Sequence, residues 1–370
     1  MKILYLHSSE YTSSMANLIQ VKAMCRAMSE AGHKVILSLP GKNLTKVQND
    51  YFEIHLREPV ISNVKVDNYI NFSSVRKTIR ELNPDLIYLR TPLLLKHALG
   101  SKKPIIMELH NYMLHQGYGW LDKYWKAFLI KASKYDQIKR VVCISEALKD
   151  YWLRKGIPVE KLVVAHDAIN HSQFESPLSI NDAREYLSLP QNVKIVTYLG
   201  RLYKNRKIEN ILVLAKEFPD TLFLVVGGPD SQQKFYEQVA YKLKLENVIF
   251  TGQVPHEKIT YYLYASDVLL ALWSADVPTI NYCSPLKLFE YMAAGRIIVA
   301  HGFPTIREVL TDGHDALLVQ PGSIENLIEK TAEALNNPDL NGMPISARER
   351  VFKEYTWQKR VEQILSGEVY

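Results

Sequence analysis

The chain has 370 residues, 47% hydrophobic and 23% charged, which excludes a disordered or fibrous protein and predicts two globular domains. Its net charge of +6 is uneven: residues 1–175 hold 25 Lys+Arg against 16 Asp+Glu (net +9), and the remainder 20 against 23 (net −3). A basic first half with no helix-turn-helix, zinc-finger or RRM signature argues against nucleic acid and predicts an anionic acceptor or membrane surface.

KILYLH (2–7) reads as a strand. Its apolar run ILYL is too short for a signal peptide, and no run approaches the ~18 apolar residues of a membrane span, so the protein is expected in the cytoplasm. A polar loop follows, with Ser8 and Ser9 at its start. MANLIQVKAMCRAMSEAG is then an amphipathic helix stopped by Gly32, and HKVILSLP the next strand, which makes a βαβ opening. PDLIYLR (84–90), KPIIMELH (103–110), RVVCIS (140–145) and KLVVAHD (161–167) read as buried parallel strands. They end in Arg90 and Thr91, Glu108 and His110, Ser145, and His166 and Asp167. In a doubly wound sheet ligands sit at such ends, so these residues are candidates to rim a cleft, with His166 and Asp167 shaping a hinge. Ser145 is a good N-cap for EALKDYWLRK, which Gly156 ends.

YGWLDKYWKAFLIKASKY (118–135) interleaves aromatics and lysines. An ordinary packed helix explains it, as does a helix lying on a membrane surface. The pattern breaks into polar turns over 170–190, where a domain boundary is expected. A second strand series follows: VKIVTYLG (193–200), TLFLVVGG (221–228), NVIFTG (247–252), VLLALW (268–273), RIIVA (296–300) and ALLVQP (316–321). The two halves predict two Rossmann-like α/β domains. No GxGxxG is present. Cys25, Cys143 and Cys283 are too far apart for a metal motif, and their odd number argues against a disulfide framework.

SPLKLFEYMAAGR (284–296) is the most informative stretch. Ser284 reads as an N-cap, Pro285 as the first helical residue, and Gly295 as the C-terminal stop. Leu286, Phe289 and Met292/Ala293 form the expected buried stripe. Lys287 and Glu290 are three apart and share a neighbouring face. They suit an exposed ion pair, or an anion at the helix N-terminus with a vicinal diol on the glutamate.

SPLKLFEYMAAGR with IREVL and DGHDALLV resembles the C-terminal signature of family 4 glycosyltransferases, the retaining GT-B enzymes. YLGRL (198–202), VVCISEALKDYWLRKGIPVEKLVVAHDAIN (141–170) and YTWQKRVEQIL also match the family, so the resemblance spans nearly the whole chain. It implies a GT-B fold, two Rossmann-like domains facing each other across a cleft, with a C-terminal helix crossing back. The implied acceptor domain is residues 1–172 plus 355–370, and the donor domain 173–354. By the same resemblance Glu290 holds the donor ribose, and Ser284, Pro285, Leu286 and Lys287 face the diphosphate with Gly200. Arg201 and Arg206 clamp the diphosphate, with Lys207 as an alternative to Arg206. Gln253 and Val254 touch the base, and His110 lies near the transferred sugar. Ser8, Ser9, Arg90 and Glu108 are acceptor or cleft candidates. Two departures stand out: Tyr282 replaces a frequent glutamate, and Ser8 and Ser9 replace the usual Gly-Gly of the first loop.

Two guanidiniums and helix amides can stabilise a departing diphosphate, which would replace a divalent metal. No metal and no other cofactor is therefore expected; the donor is a nucleotide-diphosphate sugar and the acceptor a glycan or lipid-linked group. A weakly catalytic relative that binds nucleotide or glycan as a partner subunit is the alternative, and an epimerase of the same fold a third.

Overall fold

Short apolar runs flanked by polar turns become parallel strands in both halves. The structure is a computed structural model and describes residues 1–8, 16–41, 46–57, 72–115, 119–203, 206–338 and 340–367. Two compact units divide the chain: Met1–Asp167 with Trp357–Tyr370, and Ala168–Thr356. The chain leaves the first unit a few residues ahead of the expected 172. Ile169 already bridges to Thr356 and donates to the Tyr355 carbonyl (2.9 Å), and Phe174 is buried in the second unit's core.

The first unit is an eight-stranded sheet: β1 (Lys2–Leu6), β2 (Lys34–Pro40), β3 (Lys46–Gln48), β4 (Glu53–Arg57), β5 (Leu86–Leu89), β6 (Ile105–Leu109), β7 (Ile138–Cys143) and β8 (Leu162–Val164). The order is β3-β4-β2-β1-β5-β6-β7-β8, parallel except for the β3–β4 pair. The short β3 and β4 carry no long apolar run. The second unit holds β9 (Lys194–Leu199), β10 (Thr221–Val226), β11 (Val248–Gly252), β12 (Val268–Ala271), β13 (Ile297–His301) and β14 (Leu317–Val319). Its order, β11-β10-β9-β12-β13-β14, is that of a dinucleotide-binding sheet, all parallel. The order reverses between β9 and β12 there, and between β1 and β5 in the first unit. Crevices open at the carboxyl ends of such strand pairs.

The ends of β9 and β10 meet backbone to backbone. Gly200 N donates to Val226 O (2.9 Å) and Gly227 N to Gly252 O (2.8 Å). Gly227 has φ +108, and a Cβ there would lie 2.7 Å from Gly200 O. Only glycine meets both demands.

Cys25 and Cys143 are buried and Cys283 half-buried, and none of the three forms a disulfide. Among the described residues no helix is long and apolar enough to cross a membrane.

Candidate functional site

The stretch that opened the question forms the helix Leu286–Ala294, one residue later than expected. Pro285 is the N-cap rather than the first helical residue, with extended backbone (φ −77, ψ 117), and Ser284 precedes the cap. Proline has no side-chain oxygen, so no side chain caps this helix; the Pro285 carbonyl accepts from Leu288 N (3.0 Å). Gly295 ends it in the left-handed conformation, as expected. Leu286 is only half-buried, not part of the buried stripe. Phe289, Met292 and Ala293 are buried as expected, and Leu288, Tyr291 and Ala294 join them, because the helix is covered on several sides by its neighbours.

Lys287 and Glu290 form no ion pair with each other. The Lys287 ammonium lies between two rings, 4.5 Å from the Tyr198 centroid and 4.4 Å from that of Trp273. Its nearest acceptor is Leu199 O, at 3.5 Å. Tyr198 is on β9 and Trp273 follows β12, so the ammonium stands at the second unit's switch point. Burial, with the positive charge of Arg206, pushes its pKa down from 10.5 to about 7. A Cβ on Gly200 would sit 3.8 Å from this ammonium. Tyr291 fixes the local backbone by accepting from Leu199 N (2.9 Å) and donating to Leu270 O (3.3 Å).

Glu290 is half-buried and its carboxylate makes no hydrogen bond or ion pair among the described residues. Burial raises its pKa, and His256 opposes this. Arg201 is exposed and donates from Nη1 to the Tyr203 hydroxyl (2.5 Å). Arg206 is half-buried, and its amide donates to Tyr203 O (2.7 Å). Among the described residues neither arginine has a carboxylate partner, nor does Lys287. Gln253 is exposed and Val254 packs on Ile195, Leu224 and Val226. Tyr282, at the departure from the family pattern, is buried.

In the first unit Ser8 follows β1 and its hydroxyl pairs with that of Thr91 after β5 (3.0 Å), across the switch point. Ser9 lies outside the described residues. Arg90 and His110 are half-buried neighbours: the guanidinium runs along the ring, Nε 3.1 Å from Nε2 and Nη2 3.2 Å from Nδ1. Glu108 is no cleft residue. It is 0% exposed, because β6 is covered on both faces and all five of its residues are buried, while His110, just past the strand end, stays half-buried. Its Oε1 is 2.5 Å from His110 Nε2 and accepts from Gln20 Nε2 (3.1 Å). Its Oε2 accepts from the Tyr88 hydroxyl and from Arg360 Nη1 (3.2 Å). Burial alone would raise its pKa, but Arg360, His110 and Arg90 hold it well below the usual carboxylate range. Burial and Arg90 outweigh Glu108 at His110, whose pKa falls to about 4. Asp167, the last residue of the unit's first segment, accepts from Gln20 Nε2 (2.7 Å), and burial pushes it up to about 7.

Sequence reasoning passed over Tyr198, Trp273, His256, Gln20, Tyr88 and Arg360. Tyr198 stands in the YLGRL motif itself. Arg360 carried a signal too: it is a charge on the apolar side of a helix whose Trp357, Val361 and Ile364 are buried.

Two parallel α/β units in one chain, each with polar side chains gathered where its strand order reverses, define the GT-B class of architecture. Residues 179–351 match the family model described as "Glycosyl transferases group 1", and residues 19–173 that of "Glycosyltransferase Family 4". The alpha-monoglucosyldiacylglycerol synthase of Streptococcus pneumoniae is 24% identical over 80% of this chain and 69% of its own. Sucrose-phosphate synthase from Thermosynechococcus elongatus superposes with TM-score 0.78 at 18% identity, covering 98% of this chain and 97% of that one. Anabaena HepE, solved with UDP-glucose, gives 0.74 at 17% identity, with 98% of each chain covered. The chain belongs to the family 4 glycosyltransferases of GT-B fold.

Proposed function

We propose that the protein moves a hexose or N-acetylhexosamine, with retention and without a metal, from a nucleotide-diphosphate sugar to a glycan or lipid-linked acceptor in surface polysaccharide or glycolipid synthesis. The observation that carries this is Lys287: an ammonium with no carboxylate beside it among the described residues, at the switch point of the second unit, one turn before Glu290, whose carboxylate has no hydrogen bond or ion pair among them. Lys287, Arg201 and Arg206 hold the diphosphate beside the uncapped helix start at Ser284, Pro285 and Leu286, and Glu290 takes the two ribose hydroxyls. Gly200 leaves room for the phosphates. Gln253 and Val254 flank the base. Three cations supply the charge that a divalent metal supplies elsewhere.

In the reaction the bond from the anomeric carbon to the phosphate oxygen breaks. The acceptor oxygen bonds to the same face, and its proton passes to the departing diphosphate. Glu108 supports this route over a double displacement: its oxygens are taken up by Gln20, His110, Tyr88 and Arg360, so it is no free nucleophile. His110 and Arg90 lie beside the transferred sugar, and Ser8 belongs to the acceptor side.

The test is thermal stabilisation by UDP, GDP, ADP, TDP and CMP, with and without EDTA, on wild type and Glu290→Ala. One nucleotide at ~100 times its dissociation constant should stabilise wild type by about 2.7 kcal/mol with or without EDTA. Glu290→Ala should keep its unliganded melting temperature and lose that shift. No shift with any nucleotide would instead favour a binding partner without transferase activity.

The acceptor end of the reading includes the inner face of a membrane. In the helix Gly119–Ser133 and the turn after it, Trp120 (68% exposed), Lys123, Tyr124, Ala127, Lys131, Lys134 and Tyr135 make one continuous exposed stripe. Aromatic and lysine side chains at that spacing suit the headgroup layer of an anionic bilayer. The protein should co-sediment with vesicles containing phosphatidylglycerol and not with phosphatidylcholine alone. Trp120→Ser/Lys123→Glu/Lys131→Glu should abolish this; equal sedimentation of the variant would remove the helix from the reading.

A further inference from the structure

Glu108 gathers partners from four separate parts of the first unit. Gln20 comes from the helix Ala16–Glu30, Tyr88 from β5, His110 from just past β6, and Arg360 from the C-terminal helix Trp357–Leu365. Arg360 is 3% exposed and reaches further. Its Nε donates to His166 O (2.8 Å), its Nη2 to Ala165 O (3.2 Å), and its Nη1 also lies 3.0 Å from Met24 Sδ. One guanidinium thus holds both the backbone just before Asp167 and the carboxylate under His110.

The chemistry at His110 follows from its neighbours. An ionised carboxylate only accepts hydrogen bonds, so the proton of the neutral ring sits on Nε2. Arg90 runs along the whole ring, Nε 3.1 Å from Nε2 and Nη2 3.2 Å from Nδ1, and guanidinium only donates, so Arg90 opposes a proton on either nitrogen and does not choose between them. The choice falls to Glu108, whose Oε1 lies 2.5 Å from Nε2, with Nδ1 left to accept from Arg90 Nη2. We propose that Glu108 and Arg360 are positioning residues for the transfer reaction: Glu108 fixes the tautomer and orientation of His110, and Arg360 holds Glu108 in place from the C-terminal helix. This rests on the reading that His110 lies beside the transferred sugar.

The other ionisable groups around His110 do not supply this restraint. His7 lies close but is buried, with a pKa pushed down to about 3 by burial and Arg90, and neither of its ring nitrogens has a hydrogen-bond partner among the described residues. Tyr88 and Tyr5 are held protonated by burial. Asp167 touches Gln20, not His110.

The experiment is nitrogen-15 NMR of the histidine rings in the whole protein from pH 5.5 to 8.5, with steady-state kinetics on the same samples. In wild type His110 should give the Nε2–H pattern and stay flat across this range. In Glu108→Gln the amide oxygen turns to Arg360 and its NH2 faces His110, so Nε2 must accept. The ring should shift to Nδ1–H, and kcat should fall about ten- to a hundredfold with the donor KM unchanged. Tyr88→Phe removes one donor and no charge, and should leave the tautomer as it was. Arg360→Lys keeps a charge but not the fork, and should broaden or split the His110 signals. A folded Glu108→Gln with an unchanged tautomer and kcat overturns the proposal. So does a wild-type His110 that carries its proton on Nδ1 or titrates near 6.5, even if the variants do not fold. If no nucleotide sugar is turned over, the transfer reading fails, while the tautomer result still reports on Glu108.

Discussion

Binding of a nucleoside diphosphate should weaken as the pH rises from 7 to 9, by up to about tenfold per unit. Lys287 sets this slope. In the free protein its pKa is about 7, because burial and Arg206 disfavour the ammonium and no carboxylate compensates. A diphosphate beside it favours the charged form. Below pH 7 the ammonium is already present and binding needs no proton; above it, the free protein must be reprotonated. Titration calorimetry at pH 8.5 in HEPES and in Tris, whose ionisation enthalpies differ, should report uptake of about one proton per nucleotide, and little at pH 6. Lys287→Met should remove both the uptake and the slope, and leave weaker binding at pH 6. Heats at pH 8.5 that do not depend on the buffer would count against Lys287 as the diphosphate ligand. The sign for stability is opposite to that of a paired lysine. Between about 7 and 10.5 the unfolded chain binds the proton that the folded chain lacks, so the cost of burying this ammonium fades as pH rises through that window.

Arg360→Leu should cost about 3–5 kcal/mol of stability, the loss typical when one partner of a buried ion pair is removed. The reason is Glu108, which would remain ionised at 0% exposure with its main counter-charge gone. Equilibrium urea unfolding measures it. Adding Glu108→Gln to that variant should recover stability, because the stranded charge is then absent. A loss below about 1 kcal/mol, as for a surface pair, would show that the pair does not hold the unit together. The pH dependence has a clear direction. Glu108 is held below its ordinary 4.5, so its contribution is complete above that value and is lost as the pH falls through the lower, folded-state pKa.

Much of this was legible in the sequence, for identifiable reasons. Parallel strands buried on both faces read as apolar runs, so β1, β2, β5 to β7 and all six strands of the second unit stand out by composition alone. β3 and β4 do not, because EIHLR alternates with charge and KVQ is too short. The Lys287–Glu290 spacing was visible on a helical wheel, but not the result that the two never pair. That depends on Tyr198 and Trp273, which come from distant strand ends. Ser284–Pro285 looked like a cap and a first turn, and the register fell one residue later. Glu108 looked like a cleft residue because it sits near a strand end among polar neighbours. Its burial comes from its place in a strand covered on both faces: two residues before His110, it lies within β6 rather than beyond it. Arg360 stands 252 positions along the chain from its partner, a separation that local patterning does not register.

That separation bears on how the chain is made. The ribosome delivers Glu108 early and the helix Trp357–Leu365 much later, with the whole second unit in between. A nascent first unit can pair its strands, but it must bury Glu108 without Arg360, its main counter-charge, or leave that part of its sheet open to water. Synthesis therefore runs N-terminal first, while final packing of the first unit waits for the helix that carries Arg360. A chain that stops short of Arg360 keeps every described strand of both units, yet it fails far from the break, in the interior of the unit that was made first.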